Sequence, residues 1–160
     1  MTVYAVSTNL ISFLGTHAPR TDLDSHANTS CVGSNAYIFA FTGQYVKALG
    51  FLSTLGSVNK VPIVHAAVAY DTKDGRTVIL VIHQALYFPD LQHNLLYLNQ
   101  LRANGVEVND QPRIFTPQDQ VDNCSHAICT ADLIVPLSLY GIIPFFPSWK
   151  PSKNKFFTLD

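Results

Sequence analysis

The chain has 160 residues, enough for one domain that buries its own core without disulfide or metal staples. Its formal net charge is −1 and no basic stripe runs through it, which excludes the electrostatic footprint of a nucleic-acid binder. Of its eleven acidic residues only Glu107 is Glu, which speaks for turns over helices; 48% hydrophobic against 13% charged residues leaves apolar surface for a partner to cover.

Residues 1–15 are mildly apolar but lack a basic start, and Ser7, Thr8, Asn9 and Ser12 interrupt them, a poor match to a signal peptide. No stretch reaches the roughly 20 apolar residues of a membrane span. Residues 2–6 alternate weakly, as an edge strand would. Tyr37, Phe39, Phe41 and Tyr45 alternate as a strand wall. Residues 61–70 and 77–85 are rich in Val, Ile and Ala and flank Asp71-Thr72-Lys73-Asp74-Gly75-Arg76, the signature of a hairpin. The apolar run 77–82 reads as an interior strand, with His83 a buried core histidine.

One short helix is predicted over 94–104: Asn94 can cap it, Leu95, Leu98 and Leu101 recur at helical spacing, and Asn104-Gly105 ends it. Short strands follow at 106–108, 127–129 and 133–139, the last broken by Pro136. Residues 116–125 read as loop, and 147–160 as an irregular tail whose aromatic residues cover the core's edge. Cys31, Cys124 and Cys129 make an odd count without framework spacing, read as reduced thiols. Cys124, His126 and Cys129 are compact but lack a fourth metal ligand, and no cysteine-protease signature surrounds Cys31. No cofactor is expected.

The segment that carries chemistry is Thr21-Asp22-Leu23-Asp24-Ser25-His26-Ala27-Asn28-Thr29. An apolar residue leads into Asp24, then a hydroxyl, then small residues. That order places a carboxylate at a strand end on a tight loop, beside a hydroxyl able to bond across a two-fold axis. Two such carboxylates a few Å apart share a proton: one acts as base on a water, the other as acid toward a peptide carbonyl. One such Asp in the chain implies that two copies meet to build the site.

A second segment, Ala85-Leu86-Tyr87-Phe88-Pro89-Asp90-Leu91-Gln92-His93-Asn94-Leu95-Leu96-Tyr97-Leu98-Asn99-Gln100-Leu101, running on through Gly105 to Val108, resembles the end of the protease domain in copia-type LTR-retrotransposon polyproteins. The shared pattern is a strand, Leu-Tyr-x-Pro-x-Leu, Asn-Leu-Leu, Gln-Leu, a Gly and a closing strand. Gly33 and the late Pro136-Leu137-Ser138-Leu139-Tyr140-Gly141 extend the resemblance.

It implies a mainly β, closed retropepsin-like barrel with one short helix, spanning residues 21–146 after an extension or edge strand at 1–20. It further implies an aspartic endopeptidase whose Asp24 is catalytic, whose Ser25 grips across the dimer, and whose active-site loop continues through His26, Ala27, Asn28 and Thr29. Its flap would fall near Gly50, Ser53 and Gly56. The expected partners are a second copy and a peptide or polyprotein substrate, with no membrane and an intracellular setting. His26 departs from the family's Gly, whose missing side chain lets another backbone approach. A catalytically inactive interaction or assembly module on the same fold therefore stands as the alternative.

Overall fold

A computed structural model of the chain describes residues 2–5, 18–25, 27–50 and 56–158. The fold is mainly β. Its strands are β1 Thr2–Ala5, β2 Arg20–Asp24, β3 Cys31–Val32, β4 Tyr37–Gly50, β5 Ser57–Asp71, β6 Thr77–Tyr87 and β7 Asn94–Tyr97. After helix α1 Leu98–Ala103 come β8 Glu107–Asn109, β9 Ala127–Cys129, β10 Ile134–Pro136, β11 Ser138–Tyr140 and β12 Ile143–Pro147, then helix α2 Lys153–Thr158. Nine strands form one sheet in the order β1-β4-β5-β6-β3-β7-β2-β12-β11; β10, β9 and β8 form a second.

The expected closed barrel with one short helix is replaced, among the described residues, by an open sheet with two short helices. Closure would need β11 to reach β1. Among the described residues β1 pairs with Lys47–Gly50 of β4 and β11 with β12, and no ladder joins β11 to β1.

The 71–77 hairpin forms as its sequence dictates. Asp71 pairs with Thr77, Gly75 takes the left-handed φ of +85° that the turn requires, and Thr72 N–H donates to the Arg76 carbonyl at 2.8 Å. Buried apolar residues run through β5, from Ala66 to Tyr70, and not through the first half of β6. β3 is only two residues long and meets β6 at Leu86 and Tyr87, so among the described residues no strand pairs with 77–81 on that side. His83, expected in the core, is exposed. A register shift between Val64 and Ala66 and the left-handed Gln84 (φ +57°) turn the strand over, and His83 Nδ1 lies 3.2 Å from His65 Nδ1.

The predicted helix over 94–104 shortens to Leu98–Ala103. Asn94–Tyr97 is a strand because it pairs in parallel with Thr21–Asp24. Leu95 packs with Cys31, Val46, Val61 and Leu86, while Leu96 packs with Leu23, Val32 and Phe146. Neighbours on opposite faces are strand geometry, so the helical-looking leucine spacing is split between two elements. The helix stop is as read: Gly105 at φ +78° lets Val106 N–H return to the Leu101 carbonyl.

Phe146, fully buried in the main core, contributes about 1.5–3 kcal/mol. The tail is not irregular. Trp149 exchanges backbone hydrogen bonds with Ala69, and α2 sets Phe156 against Tyr37 and Phe39 at 5.4 and 4.9 Å between ring centres. Cys124 and Cys129, read as free thiols, are joined as a disulfide. The turn entering β9 brings their Cα atoms to 6.1 Å, within bridging reach. No helix among the described residues is long and apolar enough to cross a membrane.

Two histidines are expected to make the fold acid-sensitive. Burial, reinforced by the Arg113 charge and opposed by Asp110, holds His126 below the ordinary histidine value; burial and Arg20, against Asp22, do the same to His93. The unfolded chain then binds protons that the folded chain refuses. This stability is fully present above the ordinary value of 6.5 and is lost as pH falls through the folded values. The expected result is a melting temperature that drops between about pH 7.5 and pH 5.5, with a shallower drop for His126→Asn. An equally steep drop in the variant would remove His126 from this account.

Candidate active site

Asp24 is the last residue of β2, which lies between β12 on one side and β7 on the other. Every residue of β2 is buried, Asp24 included. The chain then leaves the sheet through a short loop and re-enters it at β3. Asp24 Oδ1 accepts the Ala27 N–H at 3.3 Å, turning the loop back on its own carboxylate. Ala27, Thr29 and Ser30 are buried, while Ser25 and Asn28 face solvent. His26 and Ser53 lie outside the described residues.

The loop is held from behind by α1. Gln100 Oε1 accepts both the Ser30 N–H at 3.0 Å and the Ser30 hydroxyl at 2.9 Å, and the Tyr97 N–H donates to Ser30 Oγ at 3.1 Å. Each such bond contributes about 1 kcal/mol. In the sequence Gln100 was visible only as part of a motif, and Asn94 only as a helix cap. Asn94 is fully buried: its Oδ1 accepts the Gly33 N–H at 3.0 Å and its amide donates to the Asn35 carbonyl at 3.4 Å. It therefore ties β7 to the segment that follows β3. Thr21 Oγ1 and Ser148 Oγ, 2.7 Å apart, extend the same buried network.

Charge is concentrated beside the loop. Arg20 Nε donates to Asp22 Oδ1 at 2.7 Å in a buried ion pair, and its guanidinium lies 4.7 Å from the Tyr140 ring centre and 5.2 Å from that of Phe145. Burial pushes the Asp22 carboxyl up, against the hydrogen bond and charge of Arg20; Asp24 adds a smaller upward push. Asp22, the acidic neighbour that feels Asp24, is thus committed to Arg20.

Cys31 is buried nearby. Burial first and the Asp24 charge second push its thiol up to about 12, which leaves no thiolate for nucleophilic chemistry. A thiol reagent such as Ellman's reagent is expected to leave Cys31 unmodified in the folded chain and to label it on unfolding; rapid labelling under native conditions would contradict its placement.

Gly50 and Gly56 flank the connection of the β4–β5 hairpin, where the Gly50 N–H donates to the Gly56 carbonyl at 3.3 Å. Near this end Val46, Ala48 and Val61 pack with Cys31, Leu86 and Leu95, so the hairpin and the strand leaving the Asp24 loop share one apolar cluster. Phe41 and Tyr45 on the same hairpin, read from the sequence as part of a strand wall, are 62% and 61% exposed.

The arrangement presents a buried carboxylate at a strand end, beside an exposed hydroxyl, on a loop pinned by a helix. A scan against protein-family models, a search of curated proteins and a search of solved structures each return no match.

Proposed function

We propose that this chain is an aspartic endopeptidase domain of the retropepsin-like, copia-type retrotransposon polyprotein class, hydrolysing extended peptides with an Asp24 pair formed by two copies. The observation that carries the proposal is the setting of Asp24. It closes a buried strand laid parallel to Asn94–Tyr97, and the helix that follows reaches back through Gln100 to hold the loop. This is the arrangement expected of the two motifs if they form one site. It rests on those motifs and not on barrel closure.

With Asp22 held by Arg20, the second carboxylate comes from the partner copy, beside the exposed Ser25. In the pair, one carboxylate takes a proton from a water that attacks the scissile carbonyl, and the other protonates the leaving amine. The β4–β5 hairpin offers an exposed aromatic face beside which a substrate strand can lie.

The test is incubation of the folded chain with a mixed peptide library at about pH 5 and pH 7, read by mass spectrometry. Defined cleavage products support the proposal. A folded, dimeric preparation that cuts nothing would sink it in favour of the inactive assembly module, which His26 in the place of the family's Gly specifically favours. His26→Gly then separates the two: recovered cleavage would identify the imidazole as the block.

A further inference from the structure

His65 on β5 and His83 on β6 face each other across the strand pair, with their Nδ1 atoms 3.2 Å apart. An irregularity in the ladder brings them there. The register shifts between Val64 and Ala66, and Gln84 is left-handed at φ +57°, a region uncommon for a residue other than glycine. A bulge of this kind re-aims the side chains beside it. His83 is exposed and His65 half-buried, so the pair opens to solvent on one side.

The ring of His65 is held from two directions. Phe39 stacks on it with ring centres 6.2 Å apart, and Phe39 is itself backed by Phe156 of α2 at 4.9 Å. The Gln84 N–H donates to His65 Nδ1 at 3.3 Å. An amide N–H only donates, so His65 Nδ1 carries its lone pair and the ring proton sits on Nε2. That is the form in which an imidazole nitrogen binds a metal ion.

The spacing fits a shared ion. A divalent ion about 2.0–2.1 Å from each nitrogen subtends about 100° at this separation, between the square-planar and tetrahedral values. It also sets the two ring centres about 5 Å apart, whereas a hydrogen bond drawn straight along both ring axes would set them about 5.5 Å apart. The observed separation is 5.0 Å, with the ring planes at 71°. Among the described residues no third His, Cys, Asp or Glu joins the pair, so the remaining coordination positions fall to water or to a donor from outside the chain.

We propose that His65 and His83 form a two-point site for an imidazole-preferring divalent transition-metal ion, copper(II) before nickel(II) or zinc(II), held between their Nδ1 atoms across β5 and β6. Binding replaces the Gln84 N–H contact and moves the His83 ring proton to Nε2. Both rings bind neutral, and no electron is transferred. The site shares no residue with the Asp24 loop.

The experiment titrates the full chain with Cu²⁺ at about pH 7.5, where imidazoles are neutral, and follows binding by calorimetry and by electron paramagnetic resonance. The expected result is one tight equivalent whose hyperfine pattern shows two nitrogen ligands, with Ni²⁺ and Zn²⁺ weaker and Mg²⁺, which takes oxygen ligands, without effect. His65→Gln and His83→Gln are each expected to weaken Cu²⁺ binding at least about tenfold, because either one leaves a single-point ligand, and the double variant to bind little worse than either. His17, His26, His93 and His126 remain in every variant as internal controls. Should His65→Gln melt early, His83→Gln decides alone, since that side chain is exposed. The proposal is overturned if His83→Gln binds Cu²⁺ like the wild type, if the wild-type signal shows fewer than two nitrogens, or if Mg²⁺ competes on equal terms.

Discussion

Asp24→Asn is expected to abolish peptide cleavage, lowering the rate by about 10²–10⁴-fold or more, while the chain still folds. The replacement is nearly isosteric, and the amide oxygen can still accept the Ala27 N–H that Asp24 Oδ1 accepts at 3.3 Å. It cannot take a proton from water. The loop's other anchors, from Gln100 and Tyr97 to Ser30, are untouched, so melting temperature and dimer content should stay close to wild type. A variant that cuts the same bonds at a similar rate would show the catalytic group to lie elsewhere.

The largest effect on stability is expected at Gly33. A Cβ there would lie 2.0 Å from the Leu91 carbonyl oxygen and 2.7 Å from Leu91 Cβ. The oxygen belongs to the backbone and already accepts the Ser34 N–H at 3.1 Å, so no rotamer change relieves the clash. Separating the segments would also stretch the Gly33 N–H bond to the fully buried Asn94. Gly33→Ala should therefore cost on the order of 3 kcal/mol, seen as a melting temperature lower by roughly 6–12 °C. Val81→Thr, on an exposed strand position, should change it little. An unchanged melting temperature for Gly33→Ala would mean that Leu91 does not press on residue 33. Since Gly33 and Asn94 hold the far side of the Asp24 loop, activity in the variant should fall with stability.

What the sequence made legible was local. The Asp71–Arg76 turn needs a Gly at a left-handed position between two β-branched runs, and both features sit within a few residues of each other. The strand ending at Asp24 and the helix stop at Gly105 are of the same kind. Long-range partners decided the rest. Asn94 can cap a helix, but its side chain is taken by the Gly33 N–H and the Asn35 carbonyl, and its backbone by β2, so it starts a strand. His83 sits in an apolar run, yet a bulge in the neighbouring strand exposes it. Gln100 reads as an ordinary helix-surface residue because its partner, Ser30, is 70 positions away. The Cys124–Cys129 bridge depends on a turn whose shape is not encoded in the spacing of the two cysteines. The motif therefore singled out Asp24 as a candidate, and tertiary contacts supplied the residues that hold its loop.

The most direct test of the shared site is to mix unfolded wild-type and Asp24→Asn chains in equal amounts, refold them together, and measure peptide cleavage against an equal total of wild type. If each site takes one carboxylate from each copy, only wild-type pairs are active and about a quarter of the activity remains. Retention of about half would mean that each chain carries a complete site of its own and would contradict the account.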